Sequence, residues 1–155
     1  MAYGSRRQDR DNRSMKQALF LTGLIAGLIL CPYAQAKHLH PEAEYQQAWC
    51  SYHKGITEVE LDDFTRCDCL TKHNAIEFDF IKKWAESIGQ SLHYSNKLHK
   101  KAGIVLIMEN PDTDKYYLQR VLNLAKKYKI DVWTMQNLED FNNKVYTGRG
   151  LRVIK

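Results

Sequence analysis

The sequence predicts an α/β protein, a mixed sheet flanked by helices with a core in the order helix, three strands, helix, strand. Three observations carry this. Apolar residues alternate with period two through Ile56–Phe80 and then switch to a period of about 3.6 from Ile81 to Leu92. Gly103–Met108 is a continuous apolar run, which suits a strand covered on both faces. The first three strand segments are joined by short polar turns, Asp62-Asp63 and Lys72-His73-Asn74, and connections that short join antiparallel neighbours.

Taken in order, a first helix runs from about Pro41 to His53. Pro41 suits a first helical turn and Gly55 a stop, while Tyr45, Ala48, Trp49 and Tyr52 share a face. Strands follow at Ile56–Leu61, Phe64–Thr71 and Ala75–Phe80. The next helix puts Ile81, Trp84, Ala85, Ile88 and Leu92 on one face and Lys83, Glu86, Gln90 and Tyr94 on the opposite one. If the apolar face packs on the sheet, Lys83 and Gln90 are expected to point away from it. Pro111 and Asp112 open another helix reaching about Tyr128, and Ile130–Thr134 is a further strand. In a C-terminal extension, residues 136–155, the pattern weakens to a short helix near Leu138–Asn143 and a turn at Gly148-x-Gly150.

Residues 1–36 are read as a cleavable signal peptide preceding a domain at 37–155. Arg6, Arg7, Arg10, Arg13 and Lys16 precede an apolar run from Ala18 to Pro32, and Ala34-Gln35-Ala36 supplies small residues for cleavage. The run is shorter than the ~20 residues of a spanning helix. Met15-Lys16 is the more usual kind of start, so Met1–Ser14 reads as an upstream extension. Export to the periplasm or beyond follows, with no stable membrane anchor after cleavage.

Of 23 Lys and Arg and 18 Asp and Glu, five and two respectively lie before residue 37, so the remainder has a net charge of +2. Global basicity therefore gives no argument for nucleic acid. Only Lys97-Leu98-His99-Lys100-Lys101 and Lys126-Lys127-Tyr128-Lys129 are local basic clusters, and helix ends account for them equally well. After export Cys50, Cys67 and Cys69 meet a compartment that permits disulfides. Strand alternation turns Cys67 and Cys69 to the same side, which makes a bridge between them awkward. A bridge from Cys50 to one of the two, leaving a free thiol, is expected. A zinc site lacks a second Cys-x-x-Cys pair and ranks lower, as does a redox pair at Cys67-x-Cys69.

The candidate chemistry lies in Arg66–Tyr94. Asp68 stands inside Cys67-Asp68-Cys69-Leu70, and Glu77 and Asp79 alternate with Ile76, Phe78 and Phe80 on the third strand. Carboxylates inside such runs are costly unless a cation meets them. If the two strands pair, Asp68, Glu77 and Asp79 can converge on a hard cation such as Mg²⁺, with Lys83 four residues beyond Asp79. The same alternation also describes an edge strand with one wet face, and Asp68 can instead pair with Arg66. Spacing alone leaves these readings open.

The element order and the run Arg66-x-Asp68 … Ala75-Ile76-Glu77-Phe78-Asp79-Phe80-x-x-Lys83-Trp84-Ala85-Glu86-x-Ile88-Gly89-Gln90-Ser91-Leu92-x-Tyr94 resemble the PD-(D/E)XK nuclease superfamily, in particular a family of small bacterial nuclease-like proteins. The resemblance spans roughly Glu42–Met135. It implies a restriction-endonuclease-like αβββαβ core and a Mg²⁺- (or Mn²⁺-) dependent nuclease acting on DNA. Asp68 would be the second-strand acid and Glu77 the third-strand acid, with Asp79 a further metal ligand. The lysine that usually follows two residues after the third-strand acid is replaced by Asp79, which makes Lys83 the candidate and Lys82 the reserve. Glu44 would be the acid of the first helix. Gln90 and Tyr94 would form the Gln-x-x-x-Tyr motif of RecB-like members, and Arg66 would support the substrate. The alternative function is a catalytically inactive module of the same fold that contacts nucleic acid or a partner protein.

Overall fold

The computed structural model describes residues 38–146. The leader reading and the Gly148-x-Gly150 turn lie outside them. Helix α1 (Glu42–Tyr52) is followed by strands β1 (Ile56–Glu60), β2 (Arg66–Leu70) and β3 (Asn74–Phe80). A 3₁₀ turn (Ile81–Lys83) then leads into α2 (Trp84–Leu98), β4 (Lys101–Ile107), α3 (Pro111–Tyr128), β5 (Asp131–Met135) and β6 (Lys144–Tyr146). The six strands form one sheet in sequence order. β1, β2 and β3 are antiparallel neighbours, β3, β4 and β5 are parallel, and β6 returns antiparallel to β5. The protein is thus α/β, with a mixed sheet between helices.

Alternation along the buried strands builds two cores. β4 gives Ala102, Ile104 and Leu106 to one face, where α2 and α3 pack, and Val105 and Ile107 to the other, where Tyr45, Trp49 and Cys50 of α1 pack. Both helices that cross between parallel strands contribute to the first face, and α1 covers the second. Residues 136–143 form turns and irregular backbone, so the short helix expected near Leu138–Asn143 does not form. Glu139 and Asp140 there bond within local turns, the Glu139 amide to Asn137 and the Asp140 carboxylate to the Gln136 amide.

The basic clusters sit at helix C-termini, where cations offset the helix dipole. Lys97 pairs with Asp62 and Asp63, Lys100 donates to the Lys72 carbonyl, and Lys101 pairs with Asp131. Among the described residues, no helix is long and apolar enough to cross a membrane.

A disulfide joins Cys50 of α1 to Cys69 of β2, leaving Cys67 free and buried. The expectation that Cys67 and Cys69 share a side fails. Cys69 packs with α1, whereas Cys67 packs with Ala75 of β3 and Tyr94 of α2. The cause is local. Glu58 takes a left-handed conformation (φ 55°), and the β1–β2 register passes from Thr57↔Cys69 to Val59↔Cys67 without a Glu58–Asp68 pair. Gln46 of α1 fills the gap, its Nε2 donating to Glu58 Oε1 (2.7 Å) and to the Asp68 carbonyl (2.6 Å). With Cys69 bridged and the Cys67 thiol pushed up to about 11 by burial, Cys67-x-Cys69 is not a redox pair.

Candidate functional site: a carboxyl-lined cleft

Five carboxyl side chains meet in one cleft of about 400 Å³, between the β2–β3 end of the sheet and α2. Its walls bring together Glu42, Asp68, Glu77, Asp79, Lys83, Glu86, Gln90 and Tyr94, with Thr65 and Arg66 at the start of β2. The site residues expected from the sequence therefore converge, with one exception. Glu44 is exposed, paired with His40 at 2.9 Å, and belongs to no wall of the cleft. Glu42 takes its place. The helical frame gave the signal: Glu42 precedes Tyr45 by three residues and Trp49 by seven, on the face that α1 buries, and Glu44 is off that face. Lys82 is exposed and lies outside the cleft.

The start of α1 is fixed by Glu109. Its carboxylate accepts from the His38 ring (2.8 Å), the Leu39 amide (2.8 Å) and the Tyr45 hydroxyl (3.2 Å). The His38 ring also stacks on Phe80 at 3.5 Å, at the end of β3.

β3 is third of six strands, and Glu77 and Asp79 are only 4% and 2% exposed. They are not the wet face of an edge strand. Asp68 does not pair with Arg66, which reaches Glu58 instead (3.3 Å). The β2–β3 ladder ends at Cys69↔Ile76, and Asp68 Oδ2 accepts the Phe78 amide at 2.7 Å. A side chain thus replaces a ladder carbonyl where the strands part, and the cleft opens there.

Helix α2 is rotated relative to the simple periodic expectation. Ser87 and Ser91 are fully buried against the sheet, their hydroxyls donating to the carbonyls of Trp84 and Ile88, while Trp84 and Leu92 are only partly buried. This rotation carries Lys83, Glu86, Gln90 and Tyr94 along the cleft instead of away from it. Tyr94 is 4% exposed and lines the cleft together with Gln90. The 3₁₀ turn brings Lys83 Nζ to 3.2 Å from Asp79 Oδ1.

The electrostatics are dominated by burial and crowding of like charges. Burial first, then its neighbours Asp68, Asp79 and Glu42, hold the Glu77 carboxyl far above the usual range. Asp68 is also raised by burial, though the Phe78 amide and a hydrogen bond from Glu77 oppose this. Burial pushes Asp79 up to about 7 despite Lys83, and it raises Glu42, which is hydrogen-bonded to Asp79. Lys83 is held above its ordinary value, chiefly by Asp79. Among the described residues no hydrogen-bond donor reaches Glu77 Oε2, and Asp79 Oδ1 has the Lys83 ammonium beside it without an aligned hydrogen bond. Such a cluster is stable only if protons or a cation neutralise part of it.

Among the described residues, no three His, Cys, Asp or Glu side chains are gathered tightly enough to form a ready metal cage. The donor set still suits a hard ion. Mg²⁺ usually takes one or two protein carboxylates and keeps waters for the rest of its shell. Asp68 and Glu77, with the orphaned Glu77 Oε2, supply such a pair.

Fold and site define an α/β protein with an open, polar cleft floored by the buried carboxyls of Glu77 and Asp79. Comparisons of the chain with protein-family models, with curated proteins and with solved structures return no match.

Proposed function

We propose that this protein is a metal-dependent phosphodiesterase acting on DNA outside the cytoplasm. The observation that carries the reading is the cleft itself: Asp68, Glu77, Asp79 and Glu42 share it with Lys83, whose ammonium stands 3.2 Å from Asp79. An excess of buried carboxyl groups next to one half-exposed ammonium suits a centre that binds a divalent ion and, through it, an anionic substrate.

Asp68 and Glu77 would hold Mg²⁺ or Mn²⁺, with Asp79 assisting. A bound divalent ion supplies polarisation of a phosphoryl oxygen and a water of lowered pKa. The chain's own groups do the rest. The Lys83 side chain, about half exposed, offers its charge to a phosphate while Asp79 fixes its position. Gln90 and Tyr94 present polar groups from the α2 wall, and Arg66 adds a cation at the entrance. The Phe78 amide donates to Asp68 Oδ2 and so orients the carboxyl group without help from solvent. The Cys50–Cys69 bridge supports an oxidising location, in keeping with the leader-like N-terminus.

The test is cleavage of plasmid and single-stranded DNA in Mg²⁺ or Mn²⁺, compared with chelator and with Glu77→Ala. Metal-dependent cutting that Glu77→Ala abolishes is expected; equal residual cutting by both proteins sinks the enzyme reading. One observation favours a second reading, a non-catalytic binding module. Asp79 occupies the position where the resembled nucleases carry lysine, and the acids form no three-ligand cage. Metal-stimulated DNA binding without any cutting would select that alternative.

A further inference from the structure

Phe64 is the most exposed of the large apolar side chains among the described residues, at 89%. Other exposed aromatics have company: Tyr52 stacks on Phe141 and its hydroxyl accepts from Asn142, and Lys115 lies over Tyr116. Phe64 has no ring or cation partner among the described residues. Its backbone is left-handed (φ 65°), a conformation that a bulky residue adopts at a cost.

The turn that carries it is not loose. The Leu61 amide donates to the Thr65 carbonyl (2.9 Å) and the Phe64 amide to the Leu61 carbonyl (3.1 Å). Asp63 accepts from the Thr65 amide (3.2 Å) and hydroxyl (2.6 Å). From α2, His93 reaches Asp63 at 2.9 Å, and Lys97 reaches Asp62 at 2.6 Å and Asp63 at 3.4 Å. A hairpin tip pinned to the neighbouring helix thus holds a bare phenyl ring in water. The next two residues, Thr65 and Arg66, line the carboxyl cleft. The Cα of Phe64 is one peptide, about 3.8 Å, from that of Thr65.

We infer that Phe64 is a stacking platform for an unpaired base of a nucleic-acid strand whose phosphate enters the cleft, so that the substrate class is single-stranded or frayed DNA. The inference rests on the phosphodiesterase reading and narrows it. Phenylalanine offers a π-face and no hydrogen-bonding group, which gives sequence-tolerant stacking. Continuity with the cleft and the guanidinium of Arg66 beside it favour a nucleic-acid strand over an apolar protein partner. A base one nucleotide from the attacked phosphate would lie over the hairpin tip, and the Asp62–Asp63 clamp holds the ring ready for it. Stacking of this kind acts on binding, so its loss weakens KM more than kcat.

The experiment titrates protein expressed from the full chain, in a Glu77→Gln background that stops turnover, into oligonucleotides carrying the fluorescent base 2-aminopurine, in Mg²⁺. Single-stranded and blunt duplex forms are compared. Phe64→Ala is expected to weaken single-strand binding roughly 5- to 100-fold and to remove the stacking-induced quench, with little effect on the duplex. Phe64→Trp is expected to retain both. Hydrolysis of bis(p-nitrophenyl) phosphate, which has no base, is measured in parallel with Glu77 intact. Unchanged single-strand affinity in Phe64→Ala, or an equal loss on the duplex, overturns the stacking role. In that case, continued hydrolysis of the small diester leaves the phosphodiesterase reading standing. Absence of oligonucleotide binding by the parent overturns the inference as well. Absence of diester and DNA hydrolysis, with Phe64-dependent binding intact, keeps the platform and removes the enzyme.

Discussion

Removing the Cys50–Cys69 bridge should cost this small domain a large share of its stability. The two cysteines are 19 residues apart, and both are fully buried between α1 and β2. Closing a loop of that length removes roughly 3.3 kcal/mol of chain entropy from the unfolded state at 25 °C. Spread over a domain of this size, that corresponds to a fall in Tm of roughly 10–15 °C. The measurement is thermal unfolding by circular dichroism of the oxidised protein, of the protein held in reductant, and of Cys50→Ala/Cys69→Ala. The last two should melt together, well below the first. Asp68 is next to Cys69 and its carbonyl is held by Gln46 of α1, so metal affinity should fall in the same variant. Identical melting with and without reductant, or a loss under about 1 kcal/mol, would refute the loop-entropy reasoning.

Gly55 tests the same region. A Cβ there would approach Cys69 Sγ to 2.6 Å and Cys50 Sγ to 2.7 Å, so Gly55→Ala should destabilise the oxidised protein by about 1–3 kcal/mol in denaturant unfolding and cost much less in the cysteine-free background. An equal cost in both backgrounds would show that the sulfurs are not the obstacle. The metal-free protein should gain stability as pH falls from 8 to about 5.5. Asp79 is raised from 3.8 to about 7, and its neighbours Glu77, Asp68 and Glu42 are also raised. The folded state thus binds more protons than the unfolded one, and stability declines as pH climbs through the window between those values. Asp79→Asn should flatten the slope, and a Tm that rises with pH in chelator would contradict the assignment. Mg²⁺ at tenfold its Kd should stabilise the protein by about 1.4 kcal/mol, and Asp68→Asn should abolish that shift in a thermal melt. A shift retained by Asp68→Asn would place the ion elsewhere.

The features legible in the sequence were those set by long patterns. Helix α3 was readable from its proline start and apolar positions, β4 from its unbroken apolar run, and the β1–β3 meander from alternation and short turns. Where a single residue breaks the pattern, the reading went astray. Glu58 in a left-handed conformation turns Cys67 and Cys69 to different cores, which no strand alternation implies. β6 has three residues, too few to show a period, and Phe141 and Leu138 nearby pack on the α1 core without being helical. In α2 the apolar stripe misled, because Ser87 and Ser91 satisfy their own hydroxyls and become core residues, rotating the polar stripe toward the cleft. The candidate acids were visible as charges in apolar runs. Their company was not, since Glu42 and Glu44 differ only in helical phase.

That company decides how the cleft behaves. Lys83 and Arg66 are the cations on its walls, and Arg66 is already engaged by Glu58. Glu42, Asp68, Glu77, Asp79 and Glu86 outnumber them, so a bare phosphodiester would meet a repulsive surface. The cleft has two ways out of this imbalance. Protons relieve it when the metal is absent, with Glu77 hydrogen-bonded to Asp68 and Glu42 to Asp79. On the proposed reading a divalent ion would relieve it otherwise, with Asp68 and Glu77 as its ligands in place of the Glu77 proton and Lys83 held beside Asp79. Metal binding and proton release would then be two views of one equilibrium, and affinity for the ion is expected to rise with pH over the same range in which the metal-free fold loses stability. On that reading the acids' cost to folding would be the source of their affinity for a cation. The Lys83 ammonium beside Asp79 arrives from the 3₁₀ turn, and the Asp79 carboxylate stands 3.2 Å from it.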